Sequence, residues 1–250
     1  MVNVFIRFYE ELNFFLPRDK RKKLLNEHCK EGTTVKALIE ICGIPHTEVD
    51  LILINGESKG FSYQLQENDR ISVYPVFESF DISGISRVRP KPLRVIKFIL
   101  DVHLGKLVKR LRLLGFDTLY SNTYSDEEIS EISKADKRIV LTRDRGLLKR
   151  KIITHGYYIK SRDPEEQLLE VVKRFDLVKA LKPFTRCLAC NETLRNIDKE
   201  RIINRLPEKV RLRYNTFQYC STCDKIYWLG SHWQHMKKSL EGFFRKVDTK

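Results

Sequence analysis

The chain has 250 residues, of which 42% are hydrophobic, enough for the cores of one large domain or roughly two to three small ones. Its formal net charge of +14 is uneven: residues 1–88 contain 11 Lys and Arg against 13 Asp and Glu, whereas residues 89–250 contain 36 against 20. The basic part favours a polyanionic partner such as nucleic acid, although a lysine-rich solvated surface gives the same balance. The sequence has neither an apolar run of about 18 residues nor a signal peptide pattern, so we expect no membrane span.

The six cysteines are two isolated residues, Cys29 and Cys42, and two close pairs. This spacing is not typical of a secreted disulfide framework, so we expect a reducing, cytoplasmic location. The two isolated cysteines are expected to be small buried hydrophobic residues.

Residues 1–83 have the pattern of a small mixed domain. Residues 2–8, 51–54 and 69–75 predict strands, and residues 34–43 predict a helix that Thr34 caps and Gly43 ends. The pattern resembles the ubiquitin-like β-grasp fold, and within it the ThiS/MoaD branch of sulfur carriers. Those carriers act through a free C-terminal Gly-Gly, which is absent after Pro75, so we expect a protein-binding or RNA-positioning module instead. Residues 84–92 predict a linker, since they contain two prolines and no periodicity.

Two short β-branched runs, residues 95–100 and 138–142, predict buried strands. Asp101 follows the first run and Asp144 follows the second. Strands and helices alternate between and after these runs, which is typical of a parallel α/β sheet. Ligands of such sheets bind beyond the carboxyl ends of the strands, so the two aspartates predict a metal site.

Basic side chains are expected near these carboxylates. The helix predicted after Asp101 has an apolar face and a cationic one, and two arginines flank Asp144. The residues concerned are Lys106, Lys109, Arg110, Arg112, Arg143 and Arg145. They are candidates for binding nucleic-acid phosphates. The alternatives are a solvated helix face and salt bridges to the aspartate.

Two further aspartates are predicted at helix starts. Ser125 and Glu128 have the spacing of a capping box, which places Asp126 in the first helical turn, where negative charge is favourable. Asp163 precedes Pro164 and has the pattern of an N-cap. These structural roles are sufficient for both residues, and a role as metal ligand remains open.

Residues 96–182 resemble the PIN-like nuclease superfamily, and more closely the RNase family named after the C-terminal region of the mut-seven exonuclease. The matching segments are residues 98–101, 104–107, 111–118, 125–128 and 141–147. The resemblance implies cleavage of single-stranded RNA at an acidic Mg²⁺ or Mn²⁺ site. Its ligands would be Asp101, Asp126 and Asp144, with Asp163 as a fourth candidate. Members of the family also end in a zinc ribbon and can have a β-grasp domain in front.

Two Cys-x-x-Cys pairs, Cys187 with Cys190 and Cys220 with Cys223, have 29 residues between their inner cysteines. This spacing predicts a structural zinc site, since a redox site needs only one pair. Basic residues in the same region, among them Arg211 and Arg213, alternate with aromatic ones. Such a surface suits single-stranded nucleic acid, although the aromatic residues are also needed for a small core. Residues 233–244 predict an amphipathic helix.

The sequence therefore predicts an α/β chain of three domains: a ubiquitin-like β-grasp domain over residues 1–83, a PIN-like α/β/α domain with a parallel sheet over 93–182, and a zinc ribbon with a C-terminal helix over 183–250. The predicted function is a Mg²⁺- or Mn²⁺-dependent ribonuclease with structural zinc. The alternative is a non-catalytic adaptor that binds RNA or the ribosome. RNA is the expected partner, with the ribosome or a protein as a further partner of the β-grasp domain.

Overall fold

The computed structural model describes residues 1–76, 82, 84–88, 93, 95–230 and 242. Its N-terminal part is a five-stranded mixed sheet with one helix. The elements are β1 (Val2–Phe8), β2 (Leu24–Cys29), α1 (Val35–Ile41), β3 (Val49–Ile54), β4 (Glu57–Ser58) and β5 (Arg70–Pro75). The strand order is β2-β1-β5-β3-β4, with β1 and β5 parallel and the other pairs antiparallel. This arrangement confirms the predicted ubiquitin-like fold.

The local sequence explains these elements. Strand β1 alternates, so that Val4, Ile6 and Phe8 are buried in one core with α1. Helix α1 begins where the Thr34 side chain accepts a hydrogen bond from a backbone amide. Asn55 and Gly56 both have positive φ angles, 52° and 86°, which a tight turn between β3 and β4 requires.

The central and C-terminal elements follow in chain order. They are β6 (Lys97–Leu100), α2 (Gly105–Leu113), β7 (Asp117–Tyr120), α3 (Asp126–Asp136), β8 (Ile139–Thr142), α4 (Arg145–Lys149), β9 (Gly156–Tyr158), α5 (Pro164–Arg174), β10 (Arg195–Ile197), α6 (Lys199–Ile202), α7 (Glu208–Arg213), β11 (Phe217–Tyr219) and β12 (Ile226–Trp228). Within the described residues, no helix is long and apolar enough to cross a membrane.

The chain forms two compact units: Met1–His103 with Thr123–Tyr158, and Leu104–Asn122 with Ile159–Lys250. The first unit contains the N-terminal sheet and strands β6, β8 and β9, which are parallel with β8 in the middle. The predicted parallel sheet is thereby confirmed. Strand β6 begins at Lys97 rather than Val95, which is 63% exposed. Strand β9 ends before Lys160, whose amide donates to the Glu170 carboxylate instead of a neighbouring strand.

In the second unit, α2 packs against α5 and is followed by β7. Helix α2 ends at Leu113, and Gly115 lies just after its C-cap, with a φ of +93°. A Cβ there would collide with the carbonyl oxygen of Lys182, so only glycine fits. The amides of Lys182 and Phe184 donate to carbonyls at the end of α2. The chain is therefore bonded to α2 on both sides of the predicted boundary at residues 182 and 183.

The last part of this unit is a small antiparallel sheet with the order β10-β11-β12. Ile202, Leu206 and Phe217 form its buried core, and Tyr214 and Trp228 pack against them. Some of the aromatic residues that alternate with basic ones thus belong to this small core, which was one of the two roles expected from the sequence. The predicted helix over residues 233–244 lies almost wholly outside the described residues.

Candidate metal centres

Asp101 lies directly after β6, where its backbone amide continues the sheet by donating to the carbonyl of Leu141 at 3.1 Å. Its carboxylate is buried, with 6% of the residue exposed. One oxygen accepts from the amide of Val102 at 2.6 Å, and the other accepts from the hydroxyl of Thr142 at 2.7 Å. A buried carboxylate with this many donors is held in one orientation.

Asp144 follows β8 and is the N-cap of α4. Its Oδ1 accepts from the amide of Gly146 at 2.7 Å, and its own amide donates to Thr142 Oγ1 at 2.9 Å. The residue is exposed. One threonine hydroxyl therefore bonds both to the Asp101 carboxylate and to the Asp144 backbone, which connects the ends of β6 and β8.

Asp126 lies in the first turn of α3, after the predicted capping box between Ser125 and Glu128, which is confirmed. Its carboxylate lies 3.8 Å from a guanidinium nitrogen of Arg150. Burial raises the pKa of the Asp126 carboxyl, the Arg150 charge lowers it, and the charges of Asp144 and Asp101 raise it; the net pKa is raised. The negative charges of Asp101 and Asp144 therefore act on the Asp126 carboxyl, as expected where a cation would be favourable.

Asp163 belongs to the second compact unit. Its Oδ1 accepts from the amides of Glu165 and Glu166 at 2.9 and 3.0 Å, and Pro164 occupies the first helical position of α5. The predicted N-cap is confirmed, and this role accounts for the residue's position without a metal.

The chemistry of the donors suits a hard divalent cation at the strand ends, because Mg²⁺ and Mn²⁺ take carboxylate oxygens. The strand-end carboxylates and the four cysteines differ in how closely their possible ligand atoms are grouped. Among the residues that the structure describes, the four cysteines are the only group of three or more possible ligands whose atoms all lie within 4.8 Å of one another. Asp101, Asp126 and Asp144 do not form such a group in the described part of the chain, and they are the residues that would hold a divalent cation at the strand ends.

The cysteine cluster is built from two knuckles with the same backbone bonds. In each knuckle, the amide of the first cysteine donates to the backbone carbonyl of the residue five positions later. The residue after the second cysteine has a positive φ, 74° at Asn191 and 59° at Asp224. The Sγ atoms of Cys187 and Cys223 lie 3.4 Å apart, and those of Cys190 and Cys220 lie 3.2 Å apart. Tetrahedral zinc with sulfur at about 2.3 Å fits such a cluster, so these four thiols can hold one zinc ion.

Two of the predicted phosphate-binding arginines are engaged elsewhere. Arg112 is buried, with 5% exposed, and its three guanidinium nitrogens donate to the backbone carbonyls of Thr118, Leu188 and Ala189. It lies at the buried edge of α2, which corrects its assignment to the cationic face. Arg145 donates to the carbonyl of Phe15 at 3.0 Å and lies 5.0 Å from that ring's centroid.

The other predicted phosphate-binding residues keep solvent access. Lys106 and Lys109 on α2 and Arg213 on α7 are exposed, and Arg110, Arg143 and Arg211 are partly exposed. The two lysines lie on either side of buried Leu107 and Val108, so the amphipathic pattern of α2 is confirmed for them.

Two family models match the chain. The Mut7-C ubiquitin model matches residues 1–81, and the Mut7-C RNAse domain model matches residues 96–240, more than half of the chain. The chain belongs to the Mut7-C RNAse domain family. No curated protein and no solved structure matches the chain. The resemblance inferred from the sequence is therefore confirmed, including the order of the two domains.

Sequence reasoning missed two residues of the Mut7-C RNAse domain that the structure brings to the carboxylates. Thr142 is fully buried at the end of β8 and bonds to both strand-end residues. Arg150 donates to Glu127 at 2.6 Å and lies beside Asp126. A polar residue that ends a buried run could have indicated Thr142. Arg150 lies in a basic run and gives no such signal.

Proposed function

We propose that this Mut7-C RNAse family member is a metal-dependent ribonuclease that hydrolyses phosphodiester bonds of single-stranded RNA. The observation that supports it is the family match over residues 96–240 together with two strand-end aspartates linked by one buried hydroxyl. Asp101 and Asp144 are the proposed principal Mg²⁺ or Mn²⁺ ligands. Asp126 is a third, whereas the N-cap role of Asp163 accounts for that residue without a metal.

The proposed roles follow from the surroundings of each side chain. Asp101 offers a fixed, buried carboxylate, and Asp144 an exposed one that incoming substrate can reach. Asp126 lies beside Arg150, which also donates to Glu127 and whose guanidinium would add positive charge for a phosphate near the carboxylates. A divalent cation bound there would supply charge for the phosphate and lower the pKa of a water.

Exposed Lys106, Lys109 and Arg213, with partly exposed Arg110, Arg143 and Arg211, are the proposed phosphate contacts. Zinc at the four cysteines would be structural, since four thiolates leave no open coordination position. The N-terminal domain is a further candidate for contact with a protein or the ribosome.

The test compares Asp101→Asn and Asp144→Asn with Glu131→Gln, which alters an exposed carboxylate on α3. Cleavage of single-stranded RNA is followed across a Mn²⁺ series, and Mn²⁺ binding is measured by paramagnetic relaxation. We expect the aspartate variants to lose cutting by at least about 100-fold, as when one preorganised group that stabilises charge is removed. The control should cut like the wild type.

If the wild type binds RNA but neither cuts it nor binds millimolar Mn²⁺, the ribonuclease proposal is wrong. The adaptor that binds RNA or the ribosome then becomes the better account. If duplex RNA is cut as fast as single strands, only the proposed strand preference is wrong.

A further inference from the structure

Helix α4 has five residues, Arg145–Lys149, and the proposed ligand Asp144 is its N-cap; the N-terminal domain contacts the helix at both ends. At the first turn, the Arg145 guanidinium lies over the rings of Phe15 and Tyr158, 5.0 and 5.6 Å from their centroids, and donates to the Phe15 carbonyl. At the last turn, Lys149 Nζ donates to the Glu40 carbonyl at the end of α1, at 2.6 Å. Both basic side chains of this helix are thus directed to the N-terminal domain.

The contact continues beyond the helix. His46 Nε2 donates to the carbonyl of Ile153, which follows α4, at 2.9 Å. The Glu48 carboxylate accepts from the amide of Tyr158 in β9, at 2.6 Å. His46 and Glu48 are both buried, although neither type of side chain is usually found in a core. Polar groups buried and bonded in this way define one arrangement of the two surfaces.

We propose that the N-terminal ubiquitin-like domain is a positioning element of the nuclease centre, which fixes α4 through Arg145 and Lys149 and so places the Asp144 carboxylate. This inference rests on the proposed function and adds to it a role for residues 1–75. Arg145 and Lys149 are positioning residues, because each donates a hydrogen bond to a backbone carbonyl of the N-terminal domain.

The physical reason is the length of α4. A helix of five residues is not stable by itself, so its orientation is set by what it packs against. Asp144 is bonded to this helix through the amide of Gly146. Ligands have to be held within about 0.5 Å of a productive geometry, so a helix that loses its support displaces its cap residue.

The experiment uses the full chain with Arg145→Met and Lys149→Met. The matched control is Arg7→Met, which removes an exposed arginine that lies over Tyr9, at 5.2 Å, in the same N-terminal domain. Two properties are measured at a temperature where all variants are folded: hydrogen exchange of the Gly146 amide, and kcat and KM for RNA across a Mn²⁺ series.

We expect both α4 variants to lose exchange protection at Gly146. They should need about tenfold more Mn²⁺ for half-maximal cutting, which is less than the roughly 100-fold loss that displacing a reacting group by about 1 Å can cause. KM for RNA should change little. Arg145→Lys should recover most of the loss, because an ammonium also donates to the Phe15 carbonyl and interacts with aromatic faces. The Arg7 control should match the wild type in both measurements.

Unchanged protection and unchanged Mn²⁺ dependence in both α4 variants would overturn the inference, and the contact would then serve stability alone. A higher KM with unchanged Mn²⁺ dependence would also overturn it, because Arg145 would then act on RNA, as the sequence suggested. A wild type that neither cuts nor binds Mn²⁺ would disprove the proposed function as well, whereas a cutting wild type with insensitive variants would disprove the inference only.

Discussion

At the residue scale, the Thr142 hydroxyl has two roles that a methyl group cannot perform. It donates to the buried Asp101 carboxylate and accepts from the Asp144 amide. Thr142→Val keeps the shape but removes the hydroxyl. We expect a loss of about 1–3 kcal/mol in the free energy of unfolding, because a buried carboxylate oxygen loses a donor. Urea unfolding followed by circular dichroism measures this loss.

Thr142→Ser is the matched control, since serine keeps the hydroxyl and gives up one methyl group. It should recover most of the stability lost in the valine variant, and with it the proposed RNA cutting. Equal stability of Thr142→Val and the wild type would mean that solvent replaces the hydroxyl, and that Asp101 does not depend on it.

The sequence predicts local backbone chemistry well and burial of polar groups poorly. Ser125, Asp163 and Gly115 are recognisable because caps and stops depend on neighbouring residues only. Arg112 looks like part of a cationic face, yet it is buried because carbonyls of Leu188 and Ala189, more than 70 residues away in sequence, accept its hydrogen bonds. No local pattern encodes such a contact.

At the element scale, the first cysteine knuckle is joined to α2 and β7. Arg112 of α2 bonds to its carbonyls, and the Asn191 side chain accepts from the amide of Thr118 and donates to Asp117. Arg112→Met should lower the free energy of unfolding by about 1.5–3 kcal/mol, because charge-assisted bonds are lost and buried carbonyls lose donors. Thermal and urea unfolding measure it.

Lys109→Met is the control for that variant, because it removes an exposed cation from the same helix. It should unfold within about 0.5 kcal/mol of the wild type, as surface substitutions usually do. If both variants unfold alike, Arg112 contributes nothing to the junction between the knuckle and α2.

The junction also predicts what zinc removal does. Chelation, or Cys190→Ser, should loosen the knuckle that holds Asn191, since structural zinc drives the folding of such sites. The Thr118 amide donates to Asn191 Oδ1 at 2.9 Å, so its hydrogen exchange should accelerate together with that of the cysteine knuckles. Cys29→Ser, away from the cluster, is the control. Unchanged exchange at Thr118 would show that the zinc-binding part unfolds independently, as the predicted boundary at residue 183 suggests.

At the scale of the whole molecule, the sequence was informative about architecture. Strand periodicity, the turn at Asn55 and Gly56 and the cysteine spacing all depend on short segments, and strands β1, β3 and β5, the parallel strands and the cysteine cluster follow from them, whereas β2 and β4 were not predicted. The compact units were not foreseeable. They divide the chain after His103, Asn122 and Tyr158, because contacts between distant segments, rather than composition, decide them.

The uneven charge leads to the last prediction. Residues 1–88 have a balance of −2 and residues 89–250 one of +16, so RNA should be held by the later part of the chain. Lys106→Ala with Lys109→Ala removes two exposed cations from α2, whereas Lys23→Ala with Lys30→Ala removes two from the N-terminal part. Affinity for a single-stranded RNA is measured for both pairs over a series of salt concentrations.

The α2 pair should flatten the plot of log affinity against log salt by about 1.4, because each phosphate contact on a single strand releases roughly 0.7 of a counterion. The N-terminal pair should leave the slope unchanged, although both pairs alter the net charge equally. The comparison thus separates local contact from overall attraction. Equal slopes for the two double variants would exclude the α2 lysines as phosphate contacts and leave the arginines of α7 as the next candidates.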